Sequence, residues 1–168
     1  MTVANTALGS GTWAGNGITH TTTGSITPTS NRLLTLSLEV SYVASQATDP
    51  GITITAFGLT WVLVRAQEHY PDATNWWNWL YTYRALGPSP SSGTIKIDAG
   101  QSMDSIAWSL SEFAGIDTGG TNGSAAVVQS ASNKAAASDT CTTTLAAFGS
   151  ANNATYSVSG AVDTSATA

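Results

Sequence analysis

Leu33-Leu34-Thr35-Leu36-Ser37-Leu38-Glu39-Val40-Ser41-Tyr42-Val43 is the stretch that decides the fold. Extended backbone turns successive side chains to opposite faces. Leu34, Leu36, Leu38, Val40 and Tyr42 therefore share one face, and Thr35, Ser37, Glu39 and Ser41 share the other. This is the alternation of a long, half-buried β-strand. Working outward, Ile52, Ile54 and Ala56 alternate with Thr53 and Thr55 ahead of Gly58. Leu59, Trp61, Leu63 and Arg65 fall on one face of the next run, and Thr60, Val62, Val64 and Ala66 on the other, a pattern that suits a central strand.

Residues 69–75 read as a loop. An aromatic strand from Trp76 to Leu86 follows, then a turn from Gly87 to Gly93 whose two prolines forbid helix and ladder. Thr94–Asp98 is a short strand. Ser105–Phe113 is a longer one, with Ile106, Trp108, Leu110 and Glu112 on one face. After a glycine-rich loop from Gly115 to Gly123, strands are expected at Ala125–Gln129, Thr140–Phe148 and Thr155–Val162. The alanines of Ser130–Ala137 make it the one candidate for a short helix. Many short strands with Gly, Pro, Ser and Asn between them predict an all-β fold, an antiparallel two-sheet β-sandwich of the jelly-roll type. Residues 17–162 would form this single domain, residues 1–16 an N-terminal arm lying on a neighbouring subunit, and residues 163–168 a tail.

Composition narrows the function classes. The 168 residues are the size of one domain and can bury a continuous core. Only 9% of residues are charged, against roughly 25% in an ordinary soluble domain. The surface must be made of hydroxyls and amides, which suits a protein packed against neighbours or exposed outside the cell. The net charge is −5, and Arg32, Arg65, Arg84, Lys96 and Lys134 are scattered, so neither nucleic acid nor anionic lipid is an expected partner. Cys141 has no second thiol for a disulfide or metal site and reads as a small core residue within a strand. The segment from Met1 to Thr6 has neither a basic stretch nor an apolar run, so it does not read as a secretory signal. No stretch approaches the roughly 18 apolar residues of a membrane-spanning helix. An extracellular style of composition without an export signal fits a virion protein, assembled in the host cytoplasm and acting outside after lysis.

Four segments carry a resemblance. "NRLLTLSLEVSY", "ITITAFGLTWVLVRA", "WLYTYRALGPSPSSGTIKI" and "DSIAWSLSEFAGID", spread over Asn31 to Asp117, resemble a β-sandwich module of phage structural proteins and some bacterial surface proteins. In that module a leucine-valine strand follows an Asn-Arg turn, a glycine hairpin precedes an aromatic strand, and a final strand ends in a Phe-Ser-Gly-Val-Asp-like sequence, here Phe113-Ala114-Gly115-Ile116-Asp117. The resemblance covers about half the chain and consists of scaffold motifs. It implies a non-enzymatic virion accessory role: capsid decoration, a tail or fibre component, or a module touching host surface glycans. Partners would be other virion proteins and further copies of the chain, with a trimer among the expected states. The sequence departs from the module in two ways. Residues 76–83 are unusually aromatic, and after Val162 only Asp163 to Ala168 remain where the module supplies further strands. The sandwich is then closed with fewer strands, or completed by a neighbouring chain, or the sequence is a piece of a longer one.

A catalytic site needs converging polar groups. His20 sits among threonines on a strand. Glu68 and His69 are adjacent and so point to opposite sides of extended backbone. The ten acidic residues are dispersed, and Asp49, Asp72, Asp117, Asp139 and Asp163 sit at turns, where Asp caps local amides. Asp117-Thr118-Gly119-Gly120-Thr121-Asn122 loosely resembles an oxygen-rich calcium loop, but lacks the acidic spacing of an EF-hand and reads as a surface turn. Glu112, on an apolar face, either lies near the strand end in solvent or is paired, with Arg65 and Arg84 the candidate partners. No catalytic residue, metal ligand or cofactor is assigned.

The sharpest feature is Asn75-Trp76-Trp77-Asn78-Trp79-Leu80-Tyr81-Thr82-Tyr83-Arg84. Trp77, Trp79, Tyr81 and Tyr83 share a face. They can be core, an interface anchored by aromatic and Arg side chains, or a flat platform on which sugar rings stack. Arg84 would flank this row, and Trp76 and Tyr70, near the loop, are the members expected to be exposed.

Overall fold

The computed structural model describes residues 2–42, 49, 51–69, 77–135, 140–149 and 153–160. The fold is all-β, with strands β1 (Ala4–Thr21), β2 (Leu33–Tyr42), β3 (Thr53–Thr55), β4 (Val62–His69), β5 (Trp77–Ala85) and β6 (Lys96–Ala114). All pairings are antiparallel. The strands form one sheet in the order β1-β6-β2-β5-β4, with β3 paired to β6 off this path.

The decisive stretch is the central strand. Leu34, Leu36, Leu38, Val40 and Tyr42 are buried on one face. Directly opposite them on β5 stand Ala85, Tyr83, Tyr81, Trp79 and Trp77. On β6 the same row meets Glu112, Leu110, Trp108, Ile106 and Met103. Ile52, Ile54, Ala56, Phe57, Ile95, Ile97 and Ala99 belong to the same core.

Strand β6 is expected from sequence as two strands and is one of 19 residues. Its first limb pairs with β3 and with the end of β1 through Lys96–Asp98, and its second limb pairs with β2. Strict alternation cannot hold across both limbs, because the buried positions change from Ile97, Ala99 and Met103 to Ile106 and Leu110. The register slips between Ser41/Ser105 and Tyr42/Met103, leaving Asp104 as an extra residue. A β-bulge of this kind moves every later side chain to the other face, so both limbs keep their apolar rows on the single core.

The described residues form one antiparallel sheet; the second sheet and the jelly-roll topology expected from sequence are not shown among them. Strand β4 is an edge strand rather than a central one. A slip between Leu63/Tyr83 and Arg65/Thr82 makes Val64 the extra residue, so Leu63 and Arg65 take opposite faces instead of sharing one. Residues 4–16, the stretch expected as an arm, form most of β1 and pair with β6 of the same chain.

The expected C-terminal strands do not form among the described residues, and 130–135 is not helical; the one helical turn is Ser124–Ala126. Among the described residues beyond it, Tyr156 meets the opposite face of the sheet from the core. Tyr156 shares a 2.9 Å hydrogen bond with Ser37 and meets the Phe113 ring edge-on at 5.7 Å. Gln129 and Ala146 exchange two hydrogen bonds through the Gln129 side-chain amide, and Asn133 donates to the Thr142 carbonyl at 2.7 Å. Side-chain amides thus stand where a hairpin would place backbone. Cys141 is exposed on this irregular segment, not buried in a strand, because no ladder exists there to turn it inward.

Candidate functional site

The aromatic row lies on the core face. Trp79, Tyr81 and Tyr83 are 8%, 0% and 4% exposed, and Trp77 is half-buried against the core. Successive rings stack, at 6.0 Å for Trp79–Tyr81 and 6.3 Å for Tyr81–Tyr83. Each of the two buried tyrosine hydroxyls finds a partner, as burial requires. Tyr81 donates to Asp49 Oδ1 at 3.0 Å and lies 3.4 Å from the Tyr42 hydroxyl, and Tyr83 donates to the Ile52 carbonyl at 2.9 Å. Desolvation pushes the Tyr42 phenol up to about 12 and also raises Tyr81 and Tyr83, so all three stay neutral. Three of the four rings have no open face on which a sugar could stack. Arg84 is on the opposite face, where it donates to the Asn122 carbonyl at 3.3 Å. Trp76 and Tyr70 lie outside the described residues.

The titratable side chains are spread apart. Glu68 and His69 do point to opposite faces: Glu68 stands opposite Trp79 and pairs with Lys134 at 3.1 Å, while His69 stands opposite Asn78. His69 Nε2 is 3.3 Å from Glu39 Oε1 without hydrogen-bond geometry, and Gly160 lies over both. Buried Glu112 is held neither by Arg65 nor by Arg84. Its carboxylate accepts the Thr29 N–H and the Thr29 hydroxyl, each at 2.9 Å, pinning the 22–32 connection to β6. Arg65 instead donates to the Ser130 carbonyl. In the 117–122 loop, Asp117 accepts the Gly119 N–H at 2.8 Å, a local turn bond. Among the described residues, no three His, Cys, Asp or Glu side chains come together as a metal site.

What stands out is an edge. Strand β1 is 18 residues long, contains no Asp, Glu, Lys or Arg, and is exposed along most of its length. It pairs with β6 on one side, and no described strand pairs with it on the other. Its glycines have a steric reason. Gly11 stands directly opposite Trp108, and a Cβ there would lie 3.0 Å from the indole Nε1. Trp13 covers Gly17 in the same way and stacks on His20 at 5.3 Å. Indoles laid over glycine backbone replace the side-chain pairs that an ordinary edge would have. Partial burial against Trp13 lowers the pKa of the His20 imidazole.

Composition alone reads this segment as an arm because glycine and threonine outweigh apolar residues. The signal that finds it is the alternation of Gly9, Gly11 and Trp13 with Ser10, Thr12 and Ala14. Comparison of the chain with family models, with curated proteins and with solved structures finds no match to any of them.

Proposed function

We propose that the chain is a non-enzymatic structural or accessory component of a phage virion, a capsid-decoration, tail or fibre protein that acts by self-association or by binding to the particle. The observation that carries this reading is β1. Natural sheets blunt an exposed edge with charges, proline, bulges or a covering segment. The regular run Gly9–Ala14 of this edge, with no charged residue, no proline and no bulge, is instead suited to contact with another protein surface. The sparse charge of the whole chain supports the same role, since the surface has little to repel a neighbour. The resemblance of residues 31–117 to the phage module supplies the location: virions, assembled in the host cytoplasm.

The test is peptide mass spectrometry of virions purified from the host that carries the gene. Peptides of this chain at a stoichiometry comparable to other structural proteins are the expected result. Their absence from purified virions, with the chain abundant in the same lysate, overturns the reading.

A further inference from the structure

We propose that two copies of the chain pair antiparallel through β1, joining their sheets across a twofold axis centred at Thr12. This rests on the assembly reading above and names the partner of its edge. The contact is confined by irregularities in the strand. Register slips fall between Ala7 and Gly9, between Ala14 and Gly17, and between Gly17 and Thr19. Bulges twist an edge away from a partner. The run Gly9–Ala14 between them keeps regular register against Leu110–Ser105 and is the part of the edge that can accept another strand.

The charges favour a second copy as occupant. Two chains of net charge −5 repel one another wherever acidic surface meets acidic surface. Gly9–Ala14 lies within an 18-residue stretch free of charge. The opposite edge of the sheet is built differently: β4 carries Arg65 and Glu68, and both are tied to the 130–134 segment running beside it. That edge is charged and occupied.

Symmetry then fixes the pairing. A twofold relating two antiparallel edge strands stands perpendicular to the sheet, so residues facing each other lie on the same face. Centring at Thr12 sets Thr12 against its own copy and Ser10 against Ala14 on the exposed face, and Gly11 against Trp13 on the core face. Thr–Thr pairs are favourable across antiparallel strands. In the Gly11–Trp13 pair the glycine adds no side chain against Trp13, whose ring stays over Gly17 of its own chain. Such a contact closes as a dimer; a trimer would have to use another surface.

The test is light scattering of the purified full chain over a concentration series, on wild type, Ser10→Lys/Thr12→Lys and the β4-edge control Leu63→Lys. Ser10, Thr12 and Leu63 are all exposed, so each variant is expected to keep the wild-type circular dichroism. The expected result is a twofold larger mass for wild type and Leu63→Lys, and the single-chain mass for the β1 double variant. A single-chain wild type, or a dimer indifferent to both β1 lysines, overturns the β1 pairing. Neither outcome touches the virion reading, which the presence of the chain in purified virions decides separately. Thr12→Cys in a Cys141→Ser background keeps the proposal testable if the lysines disturb folding. It should cross-link into a disulfide dimer on mild oxidation, and failure to cross-link while Leu63→Cys does so overturns it.

Discussion

The two faces of the sheet are closed by different physics. The core face is lined by the alternating rows of β2, β5 and β6, and it is covered by further apolar side chains. The opposite face carries Thr35, Ser37 and Asn78, each buried, together with Glu39 and Ser41, and it is covered by chain that has no ladder of its own. The first cover works by removing apolar area from water, which is large and non-directional. The second works through separate contacts: Tyr156 with Ser37 and Phe113, and Arg65 with Ser130. Damage to the core face should therefore unfold the molecule as a unit, whereas damage to the other face should release its cover and leave the sheet intact.

The largest effect is expected at the centre of the core row. Leu36 is fully buried, between Tyr83 on β5 and Leu110 on β6. Leu36→Ala should cost about 3–5 kcal/mol, the sum of lost transfer energy and a cavity that close packing cannot collapse. Denaturant unfolding followed at once by tryptophan fluorescence and circular dichroism should show a single transition moved to lower midpoint. Two separated transitions would break the claim that the core face is one cooperative unit.

Alkaline pH attacks the same face by another route. Tyr42, Tyr81 and Tyr83 have their pKa raised by burial, Tyr42 to about 12. For an acid whose folded pKa exceeds its unfolded value of about 10, stability is whole below pH 10 and falls as pH rises from there towards the folded pKa. Each phenol loses about 1.4 kcal/mol by pH 11, so the three together remove about 4 kcal/mol. Unfolding midpoints measured from pH 8 to 11 should be flat to about pH 10 and then drop steeply. Tyr83→Phe should make that drop shallower. A drop that begins at neutral pH would mean that groups other than these phenols govern it.

On the opposite face, Tyr156→Ala removes the partner of the Ser37 hydroxyl and the ring packed edge-on against Phe113. The loss is expected to be about 1–2 kcal/mol, from one hydrogen bond and one aromatic pair. Its form matters more than its size. Limited proteolysis should cut the variant faster near residues 153–160 while the main unfolding transition moves little. Equal acceleration of cleavage within β2 or β5 would erase the distinction between the two faces.

The same division explains what the sequence made legible. Leu33–Tyr42 and the faces of Ser105–Phe113 and Trp77–Tyr83 were readable because burial on one side enforces strict alternation. The register beyond Ser105 on β6 and beyond Leu63 on β4 was not, since it depends on Asp104 and Val64 being extra residues, and a one-residue slip leaves no mark in composition. Alternation at Thr140–Phe148 and Thr155–Val162 suggests strands, but their described parts find no partner ladder. A strand is a property of two segments, and the pattern of one cannot supply the other. For the site, the aromatic row was visible and its placement was not: a row of rings reads alike in a core, an interface or a sugar platform. The β1 edge was the reverse case, hidden because its alternation is written in glycine and threonine.

The smallest effect tests whether the irregular cover owes anything to charge. Lys134 Nζ lies 3.1 Å from Glu68 Oε2, and its side chain is about half exposed. Exposed ion pairs contribute roughly 0–1 kcal/mol, because water screens them and two long side chains must be held in one geometry. Lys134→Ala should therefore shift the unfolding midpoint by less than Tyr156→Ala does, and added salt should diminish even that difference. The value of the variant lies in pairing it with Arg65→Ala. Arg65 and Lys134 hold the same short segment against β4, so each alone leaves the other in place. If they act as one clamp, the double variant will lose more protection from proteolysis at residues 130–135 than the two single losses predict. Strict additivity would mean that the segment is held by independent points of contact, and that its cover over the sheet can open in parts.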